Sequence, residues 1–573
     1  MLDILIKGGT IIDGTGSPAV RADVGLLDGR IAVVEDVIDE VATRTIDAGG
    51  CLVTPGFVDP HTHYDAQLFW DPLATPSNVH GVTTVIGGNC GFTLAPLRAE
   101  DADYTRRMMA QVEGMPLGAL EQGVEWSWET FGEYLDRLDG NIGVNAGFLV
   151  GHCALRRYVM GADAIGRAAT SDEVAAMVRE LHTAIESGGL GFSTTLSKTH
   201  SDGNGDPVGS RWATPDEVVA LCAAAGEHVG TSLEAIVDGC LDQFADDEID
   251  LLVRMSAAAK RSLNWNVLTV DSRVPERVTR QLEASTRATE ADARIVALTM
   301  PVIVPMNMSF LNYCALFMFP GWDEVMKLGP AERAERLRDP ETRAWMDKRA
   351  NSREAGVFRR LADWRNYVIG DTYSAQNEGL KGRTVRDIAS ERGTAPFDAL
   401  LDLVIADDLR TILWPIAPDG DDASWALRKT VWEDPRAMIG GSDAGAHLDR
   451  MCGAPYTTRF LGDMLRGRKL VPIEAAVKMI TQDPARLFGL RNRGEVLPGN
   501  FADIVILDPD SVGSDAATLV ADLPGGAARL TADAQGIAHV FVNGVETVID
   551  SRATGVTPGT VIRSGRDTET ASL

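Results

Sequence analysis

Pro55-Gly56-Phe57-Val58-Asp59-Pro60-His61-Thr62-His63-Tyr64-Asp65 reads as a short apolar strand running into two histidines two positions apart. Residues i and i+2 of a strand face the same way. The imidazoles of His61 and His63 should therefore project together from the strand's end. Imidazole is a common ligand of zinc-class metals. A bare His-x-His pair is frequent in proteins, so its meaning depends on the chain around it.

Seven further short runs rich in Val, Ile, Phe and Gly follow it. They are Val82–Gly87, Gly143–Gly151, Leu190–Thr194, Thr231–Val237, Ser262–Val267, Arg294–Thr299 and Ala437–Ser442. Helical stretches separate them. Ser171–Ser187 carries a Ser cap, Glu173 close behind it and a helical apolar period, and Thr214–Ala225 has a Thr cap with Pro215 in the first turn. Strand–helix alternation is the signature of a parallel sheet. With Gly56–Asp59 the strands number eight, so the expected fold is of the α/β class, a (β/α)8 TIM-like barrel over 56–484. Two stretches, near 98–137 and 303–400, are too long for simple loops. Excursions on the C-terminal side of such strands commonly form lids or substrate loops.

The two ends of the chain look different from the middle. Asp28-Gly29-Arg30 marks a hairpin between Val24–Leu27 and Ile31–Val34, and Asn543-Gly544 marks another. A few strands are marginal alone. The economical expectation is a small β-sandwich domain built from both chain termini, 1–55 with 485–573.

Composition bounds the function. The chain has 573 residues, of which 45% are hydrophobic and 24% charged, as in an ordinary globular enzyme. Its formal net charge of −28 argues against nucleic-acid and anionic-membrane partners. Seven scattered cysteines without a C-x-x-C pair suit a reducing, cytoplasmic setting. MLDILIKGGTIIDG reads as strand and turn, not as a signal peptide, and no run of 18 apolar residues suggests a membrane span. A small-molecule substrate is the expected partner, and homo-oligomerisation stays open.

PGFVDPHTHYD resembles the first-strand motif of the amidohydrolase superfamily. More narrowly, the chain resembles the D-aminoacylase, or N-acyl-D-amino-acid deacylase, branch. The matching pieces are HTHYDAQLFWDP at 61–72, GVTTVIGGNCGF at 81–92, GHCALRRYVMG at 151–161, GFSTTL at 191–196, GGSDAGAH at 440–447 and, within 480–509, ITQDPARLFGL and GEVLPGNFADIVILDP. The resemblance covers nearly the whole chain. It implies metal-dependent hydrolysis of an amide bond, with an N-acyl-D-amino acid as leading substrate. It implies Zn(2+), one or two ions, held by His61, His63 and Asp443. Asp443 would also be the catalytic general base. Cys90 matches the cysteine these deacylases use as a ligand where other branches use a carboxylated lysine. A buried structural thiol is the alternative reading of Cys90.

The chain also departs from that pattern. The family offers two more histidines on middle strands, whereas this sequence has none between His228 and His447. Glu234, Asn264 and Asn266 are the polar residues expected there. The departure keeps a cyclic-amide hydrolase, a non-hydrolytic member such as a decarboxylase and a metal-poor binding protein in view. His152, Arg156, Lys198, His200, Glu234, Asn266 and His447 are further candidates for substrate contacts. Lys198 and His200 share a polar, Gly-containing loop, which makes surface roles the plainer reading for both. Arg156, Arg157, Arg211 and Arg450 are candidates for a substrate carboxylate, because a guanidinium matches its geometry. His182, His228 and His80 read as structural.

Overall fold

The computed structural model describes residues 1–311 and 314–573. Each expected strand of the middle region overlaps an observed one. The first three, Phe57–Asp59, Val82–Gly87 and Asn145–Phe148, form a parallel sheet. The chain breaks step at Leu149 and resumes as Val150–Gly151. From there a second parallel sheet runs through Gly191–Thr195, Ser232–Ile236, Leu263–Trp265, Ile295–Thr299 and Ala437–Ile439. Beyond the last strand, Thr62 bridges Ala444 in parallel fashion, and the Asp443 N–H donates to the His61 carbonyl at 3.2 Å. Most residues of these strands are fully buried, as expected for parallel strands covered on both faces, which is why they read as near-continuous apolar runs.

The edge of Asn145–Phe148 away from Val82–Gly87 is taken by Val561–Ile562 from the far C-terminus. This strand was not anticipated. It explains why one expected strand over 143–151 is two observed ones: each half pairs with a different neighbour.

The helix expected over 171–187 spans Ser171–Glu186, but its cap is Thr170, one residue earlier than read. Thr170 accepts from the Glu173 N–H while the Glu173 carboxylate accepts from the Thr170 N–H, a reciprocal capping box. Pro215–Gly226 is capped by Thr214 as expected.

Strands from both termini share one nine-stranded sheet. Leu52–Pro55 pairs antiparallel with Ile504–Leu507, which joins the N-terminal and C-terminal strands. Both expected hairpins are present, Val20–Leu27 with Arg30–Glu35 and Ile537–Val542 with Val545–Ile549. Buried Arg493 pairs with Asp503 and also donates to Asn543 Oδ1, fixing the second turn. Residues 1–304 and 422–573 form one compact unit and residues 305–421 another. The second unit has its own core around Trp322, Trp364, Phe397 and Leu401. Among the described residues no helix is long and apolar enough to cross a membrane, and no disulfide joins any of the seven cysteines.

Candidate metal centre

Thr62 points away from its neighbours' face: its N–H and hydroxyl both reach the Ile86 carbonyl, each at 2.9 Å. His61 and His63 therefore share the opposite face, with ring centroids 5.3 Å apart. The turn after Val82–Gly87 brings in the third group. A Cβ on Gly88 would collide with the Leu149 carbonyl, so this left-handed position requires glycine. Asn89 Nδ2 then ties the turn to the Thr62 and Ile86 carbonyls at 3.1 and 2.9 Å. Cys90 itself is left-handed, with φ 55°. Its Sγ lies 3.6 Å from His61 Nε2. One ligand atom from each of His61, His63 and Cys90 falls within 4.8 Å of the others, and all three residues are buried.

Asp443 faces this trio from the end of the last strand. Its Oδ1 lies 3.5 Å from His61 Nε2 and 3.2 Å from His63 Nε2. Its Oδ2 lies 4.0 Å from His447 Nε2. Gly441 precedes it at φ 85°, where a Cβ would strike Asn266 Oδ1, and Asp443 is left-handed at φ 59°. A non-glycine residue held there is strained, and such strain clusters at functional sites.

The electrostatics favour a cation. Burial alone would raise the Asp443 pKa, but the His61 and His63 imidazoles outweigh it and hold the carboxyl well below its usual range. Burial depresses the His61 imidazolium. For His63, burial is outweighed by the Glu113 and Asp443 carboxylates, which hold the ring at about 10. Burial, reinforced by Glu234, pushes the Cys90 thiol well up. Burial likewise lifts Glu234 to about 8 and Glu113 to about 7. The Glu234 and Glu113 carboxyls and the Cys90 thiol are thus pushed toward their neutral forms, and a nearby positive charge would favour their ionised ones. Two imidazoles, a thiol and a carboxylate are a donor set suited to a zinc-class ion.

Glu234 projects inward from Ser232–Ile236. Its Oε2 accepts the Cys90 N–H at 2.7 Å, while Oε1 is buried with no hydrogen-bond partner among the described residues. Asn264 Oδ1 and Asn266 Oδ1 are likewise buried without one. His200 Nδ1 meets Thr195 Oγ1 at 2.8 Å, and its ring packs edge-on against Phe92. Burial, together with the charges of His447 and His63, lowers His200 to about 3.

Three other candidates have different partners. His152 bonds Thr194 Oγ1 at 2.8 Å and Glu217 Oε1 at 3.0 Å. Arg156, fully buried, pairs with the same Glu217 oxygen. Both are thereby engaged inside the protein. Lys198 is 81% exposed and pairs with Asp238, a surface lysine as its loop suggested. Removing Glu217 leaves Arg156 buried without its counter-charge, which costs about 3–5 kcal/mol. Glu217→Ala should therefore lower the free energy of unfolding in urea by a similar amount; a loss below about 1 kcal/mol would show that the pair carries little.

Among the remaining histidines, His80 bonds Thr458 Oγ1 at 2.7 Å and the Ala532 carbonyl at 2.9 Å. His182 and His228 face each other at 2.8 Å. These are structural roles, as expected.

Glu113 was missed by the sequence reading. It lies in the excursion over 98–137, and its Oε1 is 3.4 Å from His63 Nδ1. Nothing in its spacing marks it; it ends a helix inside an insertion.

This constellation belongs to a recognised class. The profile of the amidohydrolase family matches residues 44–549, and the chain belongs to that family. A D-aminoacylase of Alcaligenes xylosoxydans xylosoxydans is 30% identical over 98% of this chain and 97% of its own length. The zinc- and phosphonate-bound crystal structure of N-acyl-D-glutamate deacylase from Bordetella bronchiseptica superposes with a TM-score of 0.66 at 26% identity, covering 98% of this chain and 100% of the other. A D-aminoacylase structure described as having a binuclear metal centre gives 0.64 at 27% identity, covering 98% of this chain and 100% of the other. The chain is thus an amidohydrolase of the D-aminoacylase branch. It is a metal-dependent hydrolase of carbon–nitrogen bonds other than peptide bonds.

Proposed function

We propose that this enzyme removes the acyl group from an N-acyl-D-amino acid, with zinc held by His61, His63, Cys90 and Asp443. The observation that carries the reading is the convergence of those four side chains at the ends of three parallel strands. The relatives' names supply the substrate class. The strand order, with Thr62 bridging Ala444, supports a closed (β/α)8 barrel over 56–484. The shared terminal sheet supports a small β domain of 1–55 with 485–573. Seven cysteines without a disulfide support a cytoplasmic location.

An ion at this site supplies Lewis acidity toward water and toward the amide carbonyl. The chain's own groups do the rest. Asp443, its Oδ1 turned to the two imidazoles, accepts the proton of the attacking water and returns it to the leaving nitrogen. The Glu234 carboxylate fixes the Cys90 turn through the Cys90 N–H and keeps Sγ directed at His61. His447, Asn266 and His200 flank the reacting groups and are assigned to substrate contact. Of the four arginines offered by the sequence, Arg450 sits on the loop carrying Asp443 and His447, beside Gly114. We assign it to the substrate carboxylate. With Glu234, Asn264 and Asn266 where histidines were looked for, one tightly held ion is the expected occupancy, since amides are weak zinc ligands.

Hydrolysis of N-acyl-D-amino acids, N-acyl-L-amino acids and cyclic amides by the zinc-loaded protein tests the assignment. Turnover confined to the D-amino-acid series supports it. Turnover of cyclic amides alone makes the enzyme a cyclic-amide hydrolase, and turnover of nothing in the panel overturns the substrate class.

A further inference from the structure

The helix Ala102–Val112 lies in the first excursion and ends beside the metal centre. Glu113 is its C-cap, and Gly114 follows in the left-handed conformation at φ 57°. This is the ordinary way a helix stops. The stop also fastens the excursion to the last-strand loop. The Glu113 carbonyl, one of the helix's orphan acceptors, takes the His447 N–H. Gly114 fits where a Cβ would collide with Arg450 and press on His447. So held, the Glu113 side chain points inward, 3% exposed, to His63 Nδ1.

The two nitrogens of His63 thus face different groups. Nε2 faces Asp443 Oδ1 at 3.2 Å, and Nδ1 faces Glu113 Oε1 at 3.4 Å. His63 Nδ1 and His61 Nδ1 are both buried without a hydrogen-bond partner among the described residues, and Glu113 Oε1 stands at ion-pair distance from the first. We propose that Glu113 is the positioning residue of His63: its carboxylate accepts the Nδ1 proton, fixes the ring and keeps the Nε2 lone pair directed at the metal. A ligating histidine is commonly oriented in this way by an acceptor on its other nitrogen. The inference rests on the metal-site reading above.

The test compares two substitutions of nearly unchanged volume. Glu113→Met removes the acceptor and keeps the packing. Glu113→Gln keeps a carbonyl oxygen that can accept from Nδ1–H. Zinc affinity is measured by competition with a chromophoric chelator, and apo-protein thermal midpoints are recorded alongside. Glu113→Met should bind zinc about 10- to 100-fold more weakly, while Glu113→Gln stays much closer to the wild type. Unchanged zinc affinity in Glu113→Met overturns the proposal. So do equal losses in both variants accompanied by equal falls in midpoint, because those would mark a packing role. Wild-type protein that binds no zinc at all would instead overturn the metal-site reading, which the wild-type titration reveals by itself.

Discussion

Asp443→Asn is expected to lower kcat/KM by about 10³- to 10⁴-fold and to leave the protein folded. General-base catalysis by a positioned side chain is worth about 10²- to 10⁴-fold, and in the proposed assignment the same carboxylate is also a metal ligand. Asparagine keeps the shape of aspartate and loses its charge and its capacity to take the water proton. It is also the better test than alanine. Asp443 has φ 59°, and asparagine tolerates the left-handed region where alanine is strained. Alanine should be equally inactive and somewhat less stable. Rates of both variants on an accepted substrate, with urea unfolding of each, check the point. Activity within tenfold of wild type in Asp443→Asn would remove Asp443 from the reaction, since a loss that small is about 1.4 kcal/mol.

Chelation is expected to abolish turnover, and one equivalent of zinc to restore it. His61, His63, Glu113 and Glu234 are all buried, and burial raises the Glu113 carboxyl to about 7 and the Glu234 carboxyl to about 8. A cation compensates that cluster, so its removal should also destabilise the fold. At a metal concentration 100 times Kd the stabilisation is about 2.7 kcal/mol, which chelation would take away. The double variant His61→Ala/His63→Ala should resemble the chelated protein and fail to recover with zinc. Activity is read by initial rates, stability by thermal midpoint with and without chelator. Full activity after exhaustive chelation would contradict the mechanism.

Much of this was legible in the sequence, for identifiable reasons. The strands were legible because parallel strands buried on both faces read as apolar runs between glycines. The break at Leu149 was not, because it depends on Val561–Ile562 arriving from more than 400 residues away. The His61/His63 pair was legible from the period of two. Cys90 entered through resemblance, and the collision that forces Gly88 supplies the geometric reason for its turn.

His152 and Arg156 drew attention as residues at a strand end, yet both meet Glu217. Their i, i+4 spacing on the helix His152–Met160 was the signal that they share a face. What no spacing could supply was their partner on Pro215–Gly226. Glu113 was hidden for the same reason: a helix stop inside an insertion becomes part of a site only through contacts distant in sequence. The missing mid-strand histidines were visible in the sequence. Their consequence, a Glu234 carboxylate given to the Cys90 backbone, required the structure.

X-ray absorption at the zinc edge of protein loaded with one equivalent of zinc tests the centre most directly. Imidazole scattering from His61 and His63, carboxylate oxygen from Asp443 and a single sulfur neighbour that disappears in Cys90→Ser are expected. A shell of oxygens without imidazole or sulfur would contradict the assignment.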